Sequence, residues 1–254
     1  MNQLLALPAL LLALRGTPPQ PGATRRELAA RVSPAPSDTS LLAAVRAARR
    51  RYSTSPPASR LLNGVAYINT RPSYVTGRPF FQSSDPQLGT LVYDGQVFTG
   101  VSLLYEQVLD QVLLYGPAQA APLQLIRQQV QEFELAGHRF VQLPADSTGV
   151  VAAGFYDLVV NGPTQLLARR AKKLVATTGG YGLRGEYEEK TQFFAQQHGR
   201  YYQVSTLRQV LAVLADQQPA LQAYARANRL QFAADSQEAS LAALVKHYNE
   251  LTTP

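Results

Sequence analysis

Four two-residue turn signals divide the middle of this chain into short apolar runs, and they limit its fold more than any other feature. They are Asp94-Gly95, Ala136-Gly137, Asn161-Gly162 and His198-Gly199. A two-residue hairpin loop of type I′ needs positive φ at both central positions, which Gly, Asn and Asp adopt most readily. The runs between Gly89 and Val204 are therefore predicted to pair as consecutive antiparallel strands, which is a β-meander.

Apolar residues in these runs alternate as they do in strands with one buried face. Between Val101 and Glu106 they fill every second position, and Leu104 adds an apolar residue on the other face. About ten such runs are present, and an open sheet of that size tends to curl or close. Before them, residues 61–87 are predicted to form an edge strand and a long loop whose Phe80-Phe81 pair plugs the core.

After Val204 the apolar period changes from two residues to about 3.6, which indicates helices. Three are predicted: Thr206–Ala215 capped by Ser205, Ala220–Ala227 opened by Pro219, and Glu238–Leu251 with a capping box of Asp235 and Glu238. Such helices cover one face or the open end of a sheet. The predicted fold is α+β and mostly β: a curved antiparallel β-meander or half-barrel of about ten strands, followed by C-terminal helices.

The N-terminal part has the composition of an exported leader and a tether. Leu4–Leu14 is almost entirely apolar, too short to span a bilayer, and typical of the apolar core of a secretory signal. A short buried or interfacial helix is the alternative interpretation. The predicted organisation is a signal segment at 1–23, a basic Pro- and Ser-rich linker with a short helix at 24–60, the meander at 61–204 and a helical segment packed on the sheet at 205–254. The predicted location is extracytoplasmic, either periplasmic or secreted.

The positive charge of the chain lies almost entirely in this N-terminal part. Residues 1–60 hold nine basic and two acidic side chains, whereas residues 61–254 hold 15 of each, which gives the net charge of +7. A neutral body does not favour nucleic acid as a partner. The arginines of the linker leave two interpretations open: contact with a polyanion or membrane surface, or a solvated helix end.

No motif in the sequence predicts a catalytic, cofactor or metal site. The chain has no Cys, and its three histidines, His138, His198 and His247, lack the spacing of a metal site and are interpreted as ordinary surface residues. Glu132 and Glu134 share a strand face, as a carboxylate pair for acid–base chemistry would. The alternative is a solvated face balanced by a base such as Arg127, Arg139 or Lys190.

Two further motifs have structural interpretations. The Gly-rich stretch from Gly179 to Gly185 precedes a strand rather than a helix, which favours a flexible hairpin loop over a phosphate-binding loop. The basic residues 169–173 face the acidic residues 186–189 of the next strand, so cross-strand charge pairing is predicted rather than an anion-binding patch.

Several strings in the chain resemble a family of uncharacterised, secreted proteins of Bacteroidetes bacteria. They are GTLVYDGQVF at 89–98, GFYDLVVNG at 154–162, GRYYQV at 199–204 and KHYNEL at 246–251. The similarity covers roughly residues 60–251. It implies a β-meander followed by C-terminal helices, and it implies no assigned activity or catalytic residues.

These observations predict a non-enzymatic, exported envelope protein that binds a hydrophobic ligand or a protein partner on its curved sheet. An empty apolar concavity would favour ligand carriage, and a filled one would favour protein contact. The alternatives are a hydrolase that uses carboxylate or His chemistry, and binding of a polyanion or membrane surface through the Arg-rich N-terminal arm. No cofactor, catalytic residue or metal ligand is assigned.

Overall fold

The fold is described from a computed structural model, which covers residues 61–116, 121–180, 182–233 and 235–253. These residues form a curved antiparallel sheet followed by three helices, so the predicted fold class is confirmed. The strands are β1 (Gly64–Ala66), β2 (Gln87–Tyr93), β3 (Gln96–Glu106), β4 (Gln111–Tyr115), β5 (Leu123–Leu125), β6 (Val130–Leu135), β7 (His138–Leu143), β8 (Gly154–Val160), β9 (Gln165–Gly179), β10 (Gly182–Gln197) and β11 (Arg200–Val204). The helices are α1 (Leu207–Val213), α2 (Gln218–Ala227) and α3 (Gln237–Thr252), with 3₁₀ turns at Arg127–Gln129 and Ala215–Gln217.

The strand order departs from a simple meander at one point and requires the sheet to curl there. The order is β1-β5-β4-β3-β2-β6-β7-β8-β9-β10-β11, so β6 returns to pair with β2. On a flat sheet β5 and β6 would lie four strand spacings apart, about 19 Å. The five residue steps from Leu125 to Val130 span at most about 18 Å when fully extended, and a 3₁₀ turn shortens them further. The sheet therefore curls to bring β5 and β6 together.

Residues 74–81, here called the strap, join two distant strands of the curled sheet. The amide of Thr76 donates to the carbonyl of Gly185 on β10 at 2.8 Å. The amide of Phe81 donates to the carbonyl of Tyr105 on β3, also at 2.8 Å. In the strand order β3 and β10 are six positions apart, so the strap spans the open side of the curl.

The hairpin of β9 and β10 is longer and more regular than predicted. Pairing continues to Gly182 opposite Gly179, so the loop predicted over 179–185 is wrong for Gly182–Gly185, which belong to β10. Gly185 is required because a Cβ there would lie 2.9 Å from Cγ2 of Val75 in the strap. The predicted cross-strand charge pairing is confirmed for Lys172, whose Nζ lies 3.8 Å from Oε2 of Glu189. It is wrong for Arg170, which pairs with Asp157 and Glu238.

Aromatic side chains fill the inner face of the curl. Phe140 stacks on Phe133, with ring centroids 4.8 Å apart, and its ring centroid lies 5.1 Å from those of Tyr105 and Phe81. Phe81 thus plugs the core as predicted. Phe80 does not: it packs on the outer face of the sheet in a separate buried cluster. The same inner face continues over β8–β11, where the three helices cover it with a second apolar core.

Three of the four predicted two-residue turns are confirmed. Positive φ occurs at both residues of Asp94-Gly95, Ala136-Gly137 and His198-Gly199. The prediction is wrong for Asn161-Gly162, where neither residue has positive φ and the chain makes a longer loop. The side chain of Asn249 on α3 holds this loop, because its Nδ2 donates to the carbonyl of Thr164 at 2.8 Å and its Oδ1 accepts from the Thr164 amide at 3.0 Å.

The helix starts differ from the prediction by one or two residues, and the caps of two helices differ as well. Thr206, rather than Ser205, is the N-cap of α1, and it forms a capping box with Gln209. Ser236 is the N-cap of α3 and its side chain makes no capping hydrogen bond, so the predicted box of Asp235 and Glu238 is wrong. Glu238 instead contacts Arg170 on the sheet at 2.8 Å, because an ion pair with a mostly buried guanidinium competes with capping.

Candidate functional site

The carboxylate pair predicted for a hydrolase lies on the outer face of β6. Oε2 of Glu132 accepts from the Arg139 guanidinium at 2.6 Å, so this carboxylate already has a cation. Glu134 is exposed and lines a cavity of 510 Å³ together with His138 and Arg139. The structure therefore brings Glu134 and His138 to one cavity and engages Glu132 elsewhere.

His138 is the histidine nearest to this cavity, and contacts occupy both of its ring nitrogens. Nδ1 lies 2.7 Å from Oδ2 of Asp157, and Nε2 lies 3.2 Å from Nε2 of Gln82. A general base needs a nitrogen within reach of the proton that it removes. His138 is thus a partly buried structural residue, not the surface residue predicted.

The other two histidines lie away from this cavity. His198 lies in the β10–β11 turn, and His247 stacks on Tyr224 with ring centroids 4.0 Å apart.

Asp157 is the centre of a buried polar layer between the aromatic core and the helices. It is 2% exposed and accepts from Nε of Arg170 at 2.8 Å. Arg170 also contacts Oε1 of Glu238, which ties β9 to α3. Burial alone would lower the pKa of Arg170, but Glu238 and Asp157 outweigh it and raise that pKa above its ordinary value. This layer is fully paired, and its geometry indicates a structural role.

A second polar group, centred on Asp110, closes the end of the aromatic core. The hydroxyl of Tyr105 donates to Oδ1 of Asp110 at 2.7 Å, and Arg127 donates to Oδ2 at 2.5 Å. Burial, reinforced by the neighbouring carboxylate, raises the pKa of Tyr105 well above its ordinary value. The phenol therefore remains a hydrogen-bond donor, and it joins the β3–β4 turn to the core.

Two cavities with accessible polar groups flank the segment just before the strap. They share Tyr67, Asn69, Arg71 and Pro79 in their walls. The first, here called the Glu106 cavity, measures 160 Å³, and the second, here called the Arg78 cavity, measures 370 Å³. The two cavities are adjacent, since they share these wall residues, and their walls differ in charge. We therefore treat them together as the candidate binding site.

The Glu106 cavity combines a buried carboxylate with apolar and aromatic walls. Glu106 is 2% exposed, and its two oxygens accept from the amides of Val108 at 3.1 Å and Leu109 at 2.7 Å. Burial raises its pKa above the ordinary value for Glu. Burial and then the nearby Glu106 raise the pKa of Tyr67 to about 12. The other walls include Ile68, Arg71, Val108, Leu109, Leu174 and Tyr187.

The Arg78 cavity presents donors instead. Its walls contain Arg71, Arg78, Tyr67 and Tyr115, and none of the described residues that line it is acidic. Burial raises the pKa of Tyr115 above its ordinary value, so its hydroxyl remains protonated. A partner with both a basic and an acidic group therefore meets complementary charge in the two neighbouring cavities.

No sequence pattern indicates this site. In the sequence, Glu106 ends an alternating strand, and Arg71 and Arg78 lie in the long loop predicted within residues 61–87. Glu106 is buried because the strap pairs with β3 and β10. Such long-range pairing leaves no periodic pattern in the sequence of the loop.

The titration of Glu106 gives a direct test of its environment. A raised folded-state pKa means that the folded protein binds the proton more tightly than the unfolded chain does. The free energy of unfolding is therefore expected to fall as pH rises above the ordinary Glu value of 4.5 towards the higher folded-state pKa. Urea titrations across this range should show that Glu106→Gln lacks this component, whereas Glu134→Gln keeps it. Parallel pH curves for the protein and Glu106→Gln would contradict the raised pKa.

Other chemistry has little support within the described parts of the chain. No group of three or more His, Asp or Glu residues there is arranged to hold a metal ion. None of the helices there is both long enough and apolar enough to cross a membrane. The signal segment and the Arg-rich linker at 1–60 lie outside the described residues, so export and polyanion binding remain predictions.

Comparison with known proteins identifies no relative for this arrangement. No protein-family model matches the chain, and no curated protein or solved structure is significantly similar to it. The resemblance to secreted Bacteroidetes proteins therefore remains a prediction, and the candidate site is argued from geometry and electrostatics alone.

Proposed function

We propose that this chain is a non-enzymatic, exported envelope protein that binds a protein partner on the surface around the Glu106 and Arg78 cavities. The main supporting observation is the filled concave face of the sheet. Cavities that hold small molecules usually measure about 300–1,000 Å³ and have mostly apolar walls. The inner face of this curl instead holds mutually packed aromatic rings, so a hydrophobic ligand has no space there.

The packing of the inner face is tight along most of the curl. Phe133 is 1% exposed and Phe140 is fully buried, as are Leu91 and Leu103 on the neighbouring strands β2 and β3. A carrier would have to separate these side chains to admit its ligand, and that would lose both the buried area and the ring contacts. This cost favours the protein-binding form of the predicted function over ligand carriage.

The surface around the Glu106 cavity has the features expected of a contact site. Ile68 is 75% exposed and Leu109 59% exposed, and both line the same cavity. Half-buried Tyr67 lines both this cavity and the Arg78 cavity. Protein interfaces concentrate their binding energy in aromatic and Arg residues beside pockets, with polar groups around them.

Charge also favours a specific protein partner over a polyanion at this surface. Residues 61–254 have no net charge. The walls of the Glu106 cavity contain one acidic and one basic side chain, Glu106 and Arg71, whereas those of the Arg78 cavity contain two basic ones, Arg71 and Arg78. A polyanion gains most from a uniformly basic surface. A folded partner with matched acidic and basic groups gains from both cavities at once.

The proposal is tested by site-specific photo-crosslinking in the cell envelope. A photoreactive phenylalanine analogue at Ile68 is expected to give a discrete crosslinked product that excess unlabelled protein suppresses. The matched control is the same analogue at Val97, which is 65% exposed and lines neither cavity. Cell fractionation in the same experiment should place the chain in the envelope.

Two outcomes would overturn the proposal. Equal crosslinking at Ile68 and Val97, or no product at Ile68, would show that this surface does not bind a partner. Lipid bound stoichiometrically in native mass spectrometry of the extracted protein would restore ligand carriage. Recovery of the chain only from the cytoplasm would contradict the exported location.

A further inference from the structure

Glu106 is the one buried carboxylate in the candidate site, and no cation neutralises it within the described residues. Its hydrogen bonds come from two backbone amides, and no ion pair involving it is found there. Asp157 and Asp110, the other buried or half-buried carboxylates discussed above, each contact an arginine. A buried carboxylate without a cation is costly, and proteins usually pair it or use it.

The cationic side chain that lines this cavity already donates a hydrogen bond to a backbone carbonyl. Arg71 donates from its guanidinium to the carbonyl of Gly77 at 2.7 Å. An ionised carboxylate has about four lone-pair positions, and the amides of Val108 and Leu109 use two of them. Acceptor capacity therefore remains in a cavity whose other wall residues, apart from Arg71, are uncharged.

We propose that the Glu106 cavity binds a primary ammonium group carried on a short aliphatic chain, such as the side chain of a lysine. This inference rests on the proposed function only in assigning that lysine to the protein partner. The cavity volume of 160 Å³ suits a butyl stem with its ammonium head. Ile68, Leu109 and Leu174 contact the stem, while Glu106 accepts from the ammonium.

The phenols of the cavity strengthen this assignment. Tyr67 and Tyr187 line the cavity, and a cation is attracted to the face of an aromatic ring. An anionic group would instead meet Glu106 in a water-poor site, where like charges repel strongly. The acidic group of the same partner belongs in the neighbouring Arg78 cavity.

The chain contains two isoleucines, which permits a simple binding experiment on the full-length protein. Ile68 lines the Glu106 cavity, and Ile126 does not. Titration with n-butylammonium, followed by methyl NMR, is expected to shift the Ile68 signal and leave the Ile126 signal unchanged. The expected dissociation constant is on the order of 1 mM, as suits so small a ligand. 1-Butanol, which has the same stem without the charge, is expected to bind about tenfold more weakly.

Glu106→Gln tests the carboxylate directly. It is expected to weaken n-butylammonium binding about tenfold while leaving the affinity for 1-butanol unchanged. Glu134→Gln, on the outer face of β6, is the matched control and should bind as the unaltered protein does. If Glu106→Gln does not fold, the same test is made by measuring n-butylammonium binding to the unaltered protein at several pH values. The affinity for n-butylammonium should rise with pH as Glu106 ionises.

The outcomes separate this inference from the proposed function. Equal binding of n-butylammonium and 1-butanol, or a shift at Ile126 alone, overturns the ammonium site. So does binding that is insensitive both to Glu106→Gln and to pH. Crosslinking at Ile68 with no ammonium binding retains the protein partner and rejects the lysine. Ammonium binding without crosslinking retains the site and rejects the partner.

Discussion

Replacing Phe140 with alanine is expected to lower the free energy of unfolding by about 3–5 kcal/mol. Phe140 is fully buried and its ring contacts Phe81, Phe133 and Tyr105, so the change removes apolar contacts from three elements at once. The curl of the sheet limits how far the neighbouring strands can move to fill the space. Urea or thermal unfolding followed by circular dichroism measures the loss.

Val97→Ala is the control for this experiment. Val97 is 65% exposed, so its truncation should change the free energy of unfolding by no more than about 0.5 kcal/mol. A loss below about 1 kcal/mol for Phe140→Ala would mean that the aromatic core relaxes freely. That result would also weaken the case against a ligand within the curl.

Replacing Asp157 with alanine is expected to lower the free energy of unfolding by about 3–5 kcal/mol. Asp157 is 2% exposed and Arg170 has a side chain that is 11% exposed, so the change leaves a cation in a site with little water. Glu238 remains as the second partner of Arg170 and offsets part of this loss. Chemical unfolding at neutral pH measures the effect.

The surface ion pair of Glu132 and Arg139 is the matched control for Asp157. Their side chains are 32% and 43% exposed, so Glu132→Ala should cost about 1 kcal/mol or less. Substituting Arg170 with methionine as well as Asp157 with alanine should recover part of the stability, because no unpaired cation then remains. Equal losses for Asp157→Ala and Glu132→Ala would show that the polar layer is not a buried network.

Local signals explain the part of the fold that the sequence predicted. Asp94-Gly95 and His198-Gly199 form tight turns, as their local backbone preferences predict. Asn161-Gly162 has the same preference, but Asn249 from α3 holds a longer loop there. Glu238 likewise leaves its predicted capping role for Arg170. In both cases a contact between segments distant in the sequence outweighs a local preference.

The candidate site could not be predicted for a related reason. Its two cavities use residues from β3, from the segment before the strap and from β10, and no single stretch carries the pattern. The two-residue spacing of Glu132 and Glu134 suggests a carboxylate pair, yet Arg139 neutralises one and the other is exposed. Glu106 is more buried than either, and unlike Glu132 it has no ion pair among the described residues; both are properties of the folded chain.

The strap has a consequence for how the chain folds. Thr76 and Gly185 are 109 residues apart in the sequence, whereas each two-residue turn closes a hairpin between immediate neighbours. Contacts between distant residues must first overcome the entropy of closing a long loop, so local hairpins form earlier and long-range pairing forms later. We therefore expect the walls of the Glu106 cavity to be completed late, when the strap meets β10, so that partially folded chains do not present the site.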